Sequence, residues 1–130
     1  ATGLGTNSDL DVGQIDPTTK ILTINKAKAE TSIRISYTDN FRVVGANVAC
    51  RWEIKIDSAT CPGGALIYDS YDGNSVNHHL SRTFVGYCDG LGAGAHTIQI
   101  FVGPVPASPQ GDCYTGWNNS RWVIEAEEVY

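Results

Sequence analysis

Strict alternation of apolar and polar residues is the feature that most constrains the fold of this chain. Across Val48–Asp57, an apolar side chain occupies every second position, and Arg51, Glu53 and Lys55 fall between them. Successive side chains of a β-strand point to opposite faces. The segment therefore predicts a strand with one face in a core and the other in solvent.

The same period of two recurs along most of the sequence. The further predicted strands are Lys20–Ile24, Thr31–Tyr37, Ala65–Tyr71, Leu80–Cys88, Ala95–Val102 and Trp122–Ala126. Turn signals such as Gly63-Gly64, Asp72-Gly73 and Asp89-Gly90 separate them. About eight short strands without a helical pattern predict an all-β antiparallel sandwich or barrel. The expected core comprises Ile33, Ile35, Trp52, Ile54, Ile56, Ile98, Ile100 and Trp122.

The length of 130 residues fits one domain. The first eight residues, ATGLGTNS, are small or polar, so we expect a flexible linker over 1–8 and a single globular domain over 9–130. An apolar run of about 18 residues is absent, so membrane insertion is not expected. The net charge is -5, with 9 basic and 14 acidic residues, which argues against binding to nucleic acid or to an anionic membrane.

The four cysteines are Cys50, Cys61, Cys88 and Cys113. An even number in a small chain favours two disulfides in an oxidising, extracellular setting. Four free thiols in a reducing compartment are the alternative. Zinc binding is disfavoured because no Cys-x-x-Cys pair is present.

None of the candidate catalytic or cofactor-binding residues has the sequence context that its chemistry requires. The Gly90–Ala95 segment matches a dinucleotide-binding fingerprint, but a strand pattern follows it where that fingerprint needs a helix. His78 and His79 would point to opposite faces of a strand and so could not share one metal ion. His96 lies on the apolar face of its strand, where a hydrogen-bonded core histidine is the expectation. Ser81 lacks a nucleophile elbow, so neither an enzyme nor a cofactor is predicted.

Three surface features also have alternative interpretations. Asp69, Asp72 and Asn74 could supply oxygen ligands to calcium, but Asp-Gly turns usually need no metal, so we predict no metal site. Asn118 begins an Asn-Asn-Ser sequon, a possible glycosylation position in a eukaryotic secretory route. Phe101 lies among Thr97 and Gln99 on a polar strand face, where an aromatic residue can mark an interface.

Five segments together resemble the C-terminal globular domain of collagen triple helix repeat-containing proteins. They are SDLDVGQI, CRWEIKI, ALIYDSYDG, YCDGLGAGAHTIQIFVG and GDCYTGWNNSRWVIE. The resemblance runs from Asp9 to Glu128. The CDGLGAG and Thr115–Asn118 segments are its most specific parts.

This resemblance implies a secreted, non-catalytic head on a collagen-like stalk, with a jelly-roll fold similar to those of complement C1q and tumour necrosis factor. Such heads form homotrimers that align three chains before the collagen helix propagates. The stalk would precede Ala1 in the full chain, because no Gly-X-Y run occurs here. Phe101 and Tyr68 are the expected subunit contacts. The alternative is a trimeric head that binds a receptor, a glycan or a matrix partner.

The cysteines depart from the family pattern at one place. The family's fourth cysteine directly follows the strand corresponding to His96–Val102, whereas Cys113 comes about ten residues later. In the implied jelly roll, Val48–Asp57 and Ala95–Val102 would lie side by side and antiparallel. That arrangement favours Cys61–Cys88 and Cys50–Cys113 among three possible connectivities.

Overall fold

The protein consists of ten β-strands, in a computed structural model that describes residues 1–75 and 77–130. The strands are β1 (Thr2–Leu4), β2 (Gly13–Gln14), β3 (Ile21–Lys26), β4 (Ser32–Val44), β5 (Val48–Ile56), β6 (Leu66–Asp72), β7 (Leu80–Cys88), β8 (Gly94–Gly103), β9 (Asp112–Thr115) and β10 (Arg121–Val129). Within the described residues, no helix is long and apolar enough to cross a membrane.

The strands form two five-stranded antiparallel sheets. Sheet A has the order β1-β10-β4-β7, and β9 pairs with the far end of β4. Sheet B has the order β2-β8-β5-β6, and β3 also pairs with β8. The chain crosses repeatedly from one sheet to the other, as in a jelly roll. The all-β class predicted by the alternation and the jelly-roll sandwich implied by the family resemblance are both confirmed.

The core lies between the sheets and is built by the alternating residues of β4, β5, β8 and β10. All eight residues predicted for the core are buried there. Trp52 at the centre donates a 2.9 Å hydrogen bond from its indole N–H to the hydroxyl of Thr115. A buried indole therefore keeps a polar partner, as its N–H requires.

The strands β1, β2 and β9 have no counterpart among the expected strands, and β4 is longer than expected. The strand predicted over Thr31–Tyr37 extends as β4 to Val44, because Asp39 keeps the alternation while being buried. The strand β9 was not expected, since four residues between Gly111 and Gly116 are too few to show a period. It places Cys113 on sheet A opposite Val43, and not in the proline-rich loop.

The expectation of a flexible linker over residues 1–8 is wrong. β1 pairs with β10, and the terminal amine of Ala1 donates a 2.8 Å hydrogen bond to the carbonyl of Ile124. Further along, Ser8 and Thr115 exchange backbone hydrogen bonds. The small residues that suggested a linker instead allow close packing, because a Cβ on Gly3 would lie 2.7 Å from the ring of Trp122.

We expect Gly3→Ala to destabilise the protein by about 1–3 kcal/mol, because the added methyl overpacks the buried Trp122 ring. Gly92→Ala is the matched control, since a Cβ there meets nothing within 4 Å; it should change the unfolding free energy by less than about 0.5 kcal/mol. Urea denaturation of the two variants measures both values. Equal stabilities would show that β1 is not docked.

Candidate functional site

Two disulfides tie the sandwich together. Cys50 on β5 of sheet B is bonded to Cys113 on β9 of sheet A, with a Cα–Cα distance of 6.1 Å. Cys61, which follows β5, is bonded to Cys88 at the end of β7, at a Cα–Cα distance of 5.8 Å. These bonds close loops of 63 and 27 residues. Because ladder hydrogen bonds run only within a sheet, the disulfides supply covalent connections between the two sheets.

The outer face of sheet A has an uncharged row across four strands. The register places Thr2 beside Val123, Val123 beside Thr38, and Thr38 beside Thr83. The hydroxyls of Thr38 and Thr83 are hydrogen-bonded at 2.7 Å. No sequence signal marked this row, because its members belong to four separate segments and sit at the polar positions of each alternation.

Exposed apolar side chains extend this outer face along β7. Val85 is 42% exposed and Tyr87 is 56% exposed. Val85 lies beside Ser36 in the next row of the sheet, and Tyr87 lies beside Arg34. Charged residues share this outer face, since Glu125 pairs with Ser36 and Glu127 pairs with Arg34. The hydroxyl and exposed apolar groups between and beside them are typical of surfaces that pack against another protein.

Tyr68, an expected subunit contact, lies on β6 at the edge of sheet B. Its ring stacks on Phe84 of β7, with centroids 4.4 Å apart and planes inclined by 2°. Burial raises the pKa of Tyr68 above 10.0. The side chain therefore bridges the open edges of the two sheets, and part of it remains accessible there.

Phe101, the other expected contact, lies on the opposite side of the sandwich, on the outer face of sheet B. The ammonium of Lys55 sits 4.5 Å from its ring centroid. Phe101 borders a groove of about 330 Å³ whose walls include Val12, Arg51 and Pro104. The structure does not bring Phe101 and Tyr68 to one face, since Tyr68 points between the sheets and Phe101 points outwards.

A cluster of aromatic and cationic groups surrounds the sequon. The ring of His79 stacks on Trp117 with centroids 3.8 Å apart, and Arg42 lies 5.7 Å from the Trp117 ring. Burial, and then the positive charge of Arg42, lower the pKa of His79 below 6.5. Asn118 is exposed in the turn between β9 and β10, beside this cluster. His78 lines a different depression, with Leu80 and Arg82.

His96 makes two hydrogen bonds at the edge of the core. Its Nδ1 lies 2.7 Å from a carboxylate oxygen of Asp57, and its Nε2 lies 2.7 Å from the carbonyl of Gly92. The hydrogen bond to Asp57, followed by that to Gly92, raises the pKa of His96 above 6.5. Both ring nitrogens face acceptors, so the doubly protonated ring satisfies both. This is the hydrogen-bonded histidine that the sequence predicted.

Asp69 and Asp72, two of the residues considered as calcium ligands, contact groups of the chain itself. Asp69 forms a bidentate ion pair with Arg51 at 2.7 and 3.0 Å, and Asp72 accepts the backbone N–H of Asn74. Elsewhere in the described residues, ligand atoms of Asp9, Asp11 and Asp112 lie within 4.8 Å of one another. In this second group, Asp11 accepts the backbone N–H of Cys113, and Asp112 accepts the hydroxyl of Tyr114.

The protein is a disulfide-linked jelly-roll domain in which the outer face of sheet A carries an uncharged row and exposed apolar side chains. The family model described as the CTHRC1 C-terminal domain matches residues 5–124, and the chain belongs to this family. It is therefore a globular domain of the collagen-like protein class.

Solved structures share only a distant likeness. A protein of infectious bursal disease virus, Gt strain, matches with a TM-score of 0.41 and 12% identity over 97% of this chain and 32% of the viral one. The chain thus spans about a third of that viral protein. The CBM36-1 domain of a xylanase from the hindgut metagenome of Trinervitermes trinervoides matches with a TM-score of 0.33 and 14% identity, covering 96% of this chain and 95% of that domain.

Peptide mapping without reduction tests the disulfide pairing. We expect one peptide joining Cys50 to Cys113 and another joining Cys61 to Cys88, because these pairs lie within bonding distance in the folded chain. The same digest after reduction is the control and should release both pairs. A peptide joining Cys50 to Cys61 would contradict the arrangement.

The pH dependence of stability tests the His96–Asp57 contact. Because the folded-state pKa of His96 is raised, its contribution is fully present below pH 6.5 and is lost as the pH rises through the folded-state pKa. In the unmodified protein, the free energy of unfolding should therefore fall as the pH rises through this pKa. We expect a smaller fall in His96→Gln, because glutamine does not titrate. Denaturant titrations at several pH values measure it, with His78→Gln as the control. Identical profiles for His96→Gln and the unmodified protein would rule out the contact.

Proposed function

We propose that this domain is a secreted, non-catalytic trimerisation head that aligns three chains of a collagen-like protein and so nucleates or caps their triple helix. Membership of the CTHRC1 C-terminal domain family supports the connection to a collagen-like stalk. The two disulfides support an oxidising, extracellular location. The partners in this proposal are two further copies of the chain and the stalk that each copy carries.

Three collagen chains must be brought into register before their helix can propagate. Once three heads have associated, the remaining contacts between the stalks become intramolecular and their effective concentration rises. Closed three-fold symmetry requires two different patches on each copy, repeated around one axis. The outer face of sheet A and the adjoining edge formed by β6 and β7 provide two such patches.

The uncharged row on sheet A is the observation that carries the proposal. A chain with a net charge of -5 repels its own copies at long range, so a self-associating surface should be low in charge. Thr2, Val123, Thr38 and Thr83 meet this condition across four strands. Val85, exposed beside them, adds apolar area for burial.

The expected contact residues have different places in this proposal. Tyr68 lies at the β6–β7 edge and would contact a neighbouring copy through its exposed part. Phe101 belongs to the opposite outer face and is the alternative contact. Asn118 is a proposed glycosylation position, because its side chain is exposed in a turn. No catalytic residue, cofactor or metal is part of the proposed function.

Solution mass by light scattering at micromolar concentration tests the trimer. We expect about 42 kDa, three times the chain mass of 14.0 kDa. Val85→Arg places a charge on the outer face of sheet A and should lower the mass threefold. Val12→Arg is the matched control, because Val12 is an exposed apolar residue in the Phe101 groove. Circular dichroism checks that both variants remain folded.

The outcomes separate the two candidate contacts. A mass of 14 kDa for the unmodified protein would overturn the trimerisation function. A trimer that survives Val85→Arg but dissociates in Phe101→Arg and Val12→Arg would place the contact on sheet B instead. Loss of the trimer in Val85→Arg alone supports the outer face of sheet A.

The groove beside Phe101 favours a second candidate function, a trimeric head that binds an extracellular receptor, glycan or matrix partner. An accessible aromatic ring flanked by Lys55 and Arg51 is a typical polar-and-aromatic binding arrangement. In a trimer, three such grooves would act together and increase avidity. The two functions are compatible, because the groove and the uncharged row lie on different faces.

A further inference from the structure

Four polar side chains meet inside the sandwich, where the functions proposed above do not use them. Lys20, in the turn before β3, and Asp39, on β4, have side chains with no exposed surface. Tyr37 is also fully buried, while the Asp16 side chain is 28% exposed. Asp39 faces inwards because it falls at an inward position of the β4 alternation. The charged groups of Lys20 and Asp39 are therefore both removed from the surface.

The contact between Lys20 and Asp39 is close and dry. The Nζ of Lys20 lies 2.6 Å from Oδ2 of Asp39 and 5.3 Å from the ring centroid of Trp122. Removing two charges from water costs several kcal/mol per ion. Attack by Nζ requires the ammonium to lose a proton, and Oδ2 of Asp39 lies in contact with Nζ to accept it. A neutral lysine amine is a nucleophile.

Hydrogen-bond donors surround the carboxyl group of Asp39. Its Oδ1 accepts the backbone N–H of Asn40 at 2.8 Å, and its Oδ2 accepts the hydroxyl of Tyr37. Attack of Nζ on Cγ would develop negative charge on Oδ1, where the Asn40 N–H already points. The Tyr37 hydroxyl donates to Oδ2, the oxygen that would leave.

Asp16 completes the arrangement as a proton carrier. A backbone hydrogen bond of 2.9 Å from the N–H of Lys20 to the carbonyl of Asp16 closes the turn that carries both residues. This turn places the carboxylate Oδ2 of Asp16 3.5 Å from Nζ of Lys20. A carboxylate at this position can accept a proton from the attacking nitrogen and return it to the leaving oxygen.

We propose that Lys20 and Asp39 join in an intramolecular isopeptide bond with loss of one water. The Nζ–Cγ bond forms and the Cγ–Oδ2 bond breaks. The ammonium group gives up two protons, and Oδ2 leaves with both of them as water. The ion pair becomes a neutral amide, so no oxidant, reductant or outside reactant is required.

The folded chain supplies what makes this condensation favourable. The two groups are held in contact, which replaces an encounter in solution by a reaction within one molecule. Exclusion of water from the core opposes hydrolysis of the product. The new bond would join β4 of sheet A to the turn before β3 of sheet B. It would also remove the desolvation free energy of two buried charges.

Intact mass spectrometry of the reduced, denatured protein tests the proposal. We expect a mass lower than that of the sequence by one water. Trypsin should not cut after Lys20, and residues 1–26 should be linked to residues 35–42. Cleavage after Lys26 is the internal control. Lys26 is also buried, but its Nζ donates to the backbone carbonyls of Lys28 and Ala29.

Three variants separate the proposed bond from an ion pair. Lys20→Arg keeps the positive charge but cannot form the bond, so it should have its full calculated mass. Asp39→Asn should lose ammonia in place of water. Asp16→Asn should slow the mass loss while the circular dichroism spectrum stays that of the unmodified protein.

Two results would overturn the proposal. Folded, unmodified protein that retains its full mass after prolonged incubation would show that Lys20 and Asp39 form only a buried ion pair. Loss of water that peptide mapping locates at Asp72-Gly73 or Asp89-Gly90 would indicate a backbone succinimide instead. The mass of the unmodified protein by itself shows whether the bond has formed, so a variant that fails to fold does not affect the test.

Discussion

The alternation of β4 is the constraint on which the rest of the structure depends. This strand of 13 residues lies at the middle of sheet A and pairs with β10, β7 and β9. Its inward positions supply the aromatic and aliphatic side chains that meet sheet B. The same alternation points Asp39 into the core, where a buried carboxylate needs an oppositely charged partner. Lys20, brought by the turn before β3, provides that partner.

Hydrogen-bonded ladders stabilise each sheet but do not join one sheet to the other. The connection between the sheets comes from apolar packing, from the disulfides and from the contact of Lys20 with Asp39. Cys50–Cys113 joins the two sheets directly, through β5 and β9. A head attached to a stalk would benefit from such links, because they hold its outer faces in fixed relation.

Those outer faces differ in chemistry. Sheet A presents an uncharged row and exposed valine and tyrosine side chains next to charged residues of β4 and β10, whereas sheet B presents Phe101 in a groove with charged residues. The sequence marked Phe101 because an aromatic residue stood out on a polar strand face. The sequence could not predict that Thr2, Val123, Thr38 and Thr83 form one row. Each of them is a common kind of residue at an outward strand position, and they lie in four separate segments. Only the register of four strands places them together.

The sequence by itself determined the all-β class, most of the strands and the core, because a period of two directly reports which side chains are buried. It did not reveal β1, β2 or β9, which are too short to display a period and depend on pairing with distant strands. Tertiary structure also decided that Lys20 and Asp39 meet. Their contact crosses between two sheets, and alternation fixes only the face of a strand to which a residue points, not the residue that it faces.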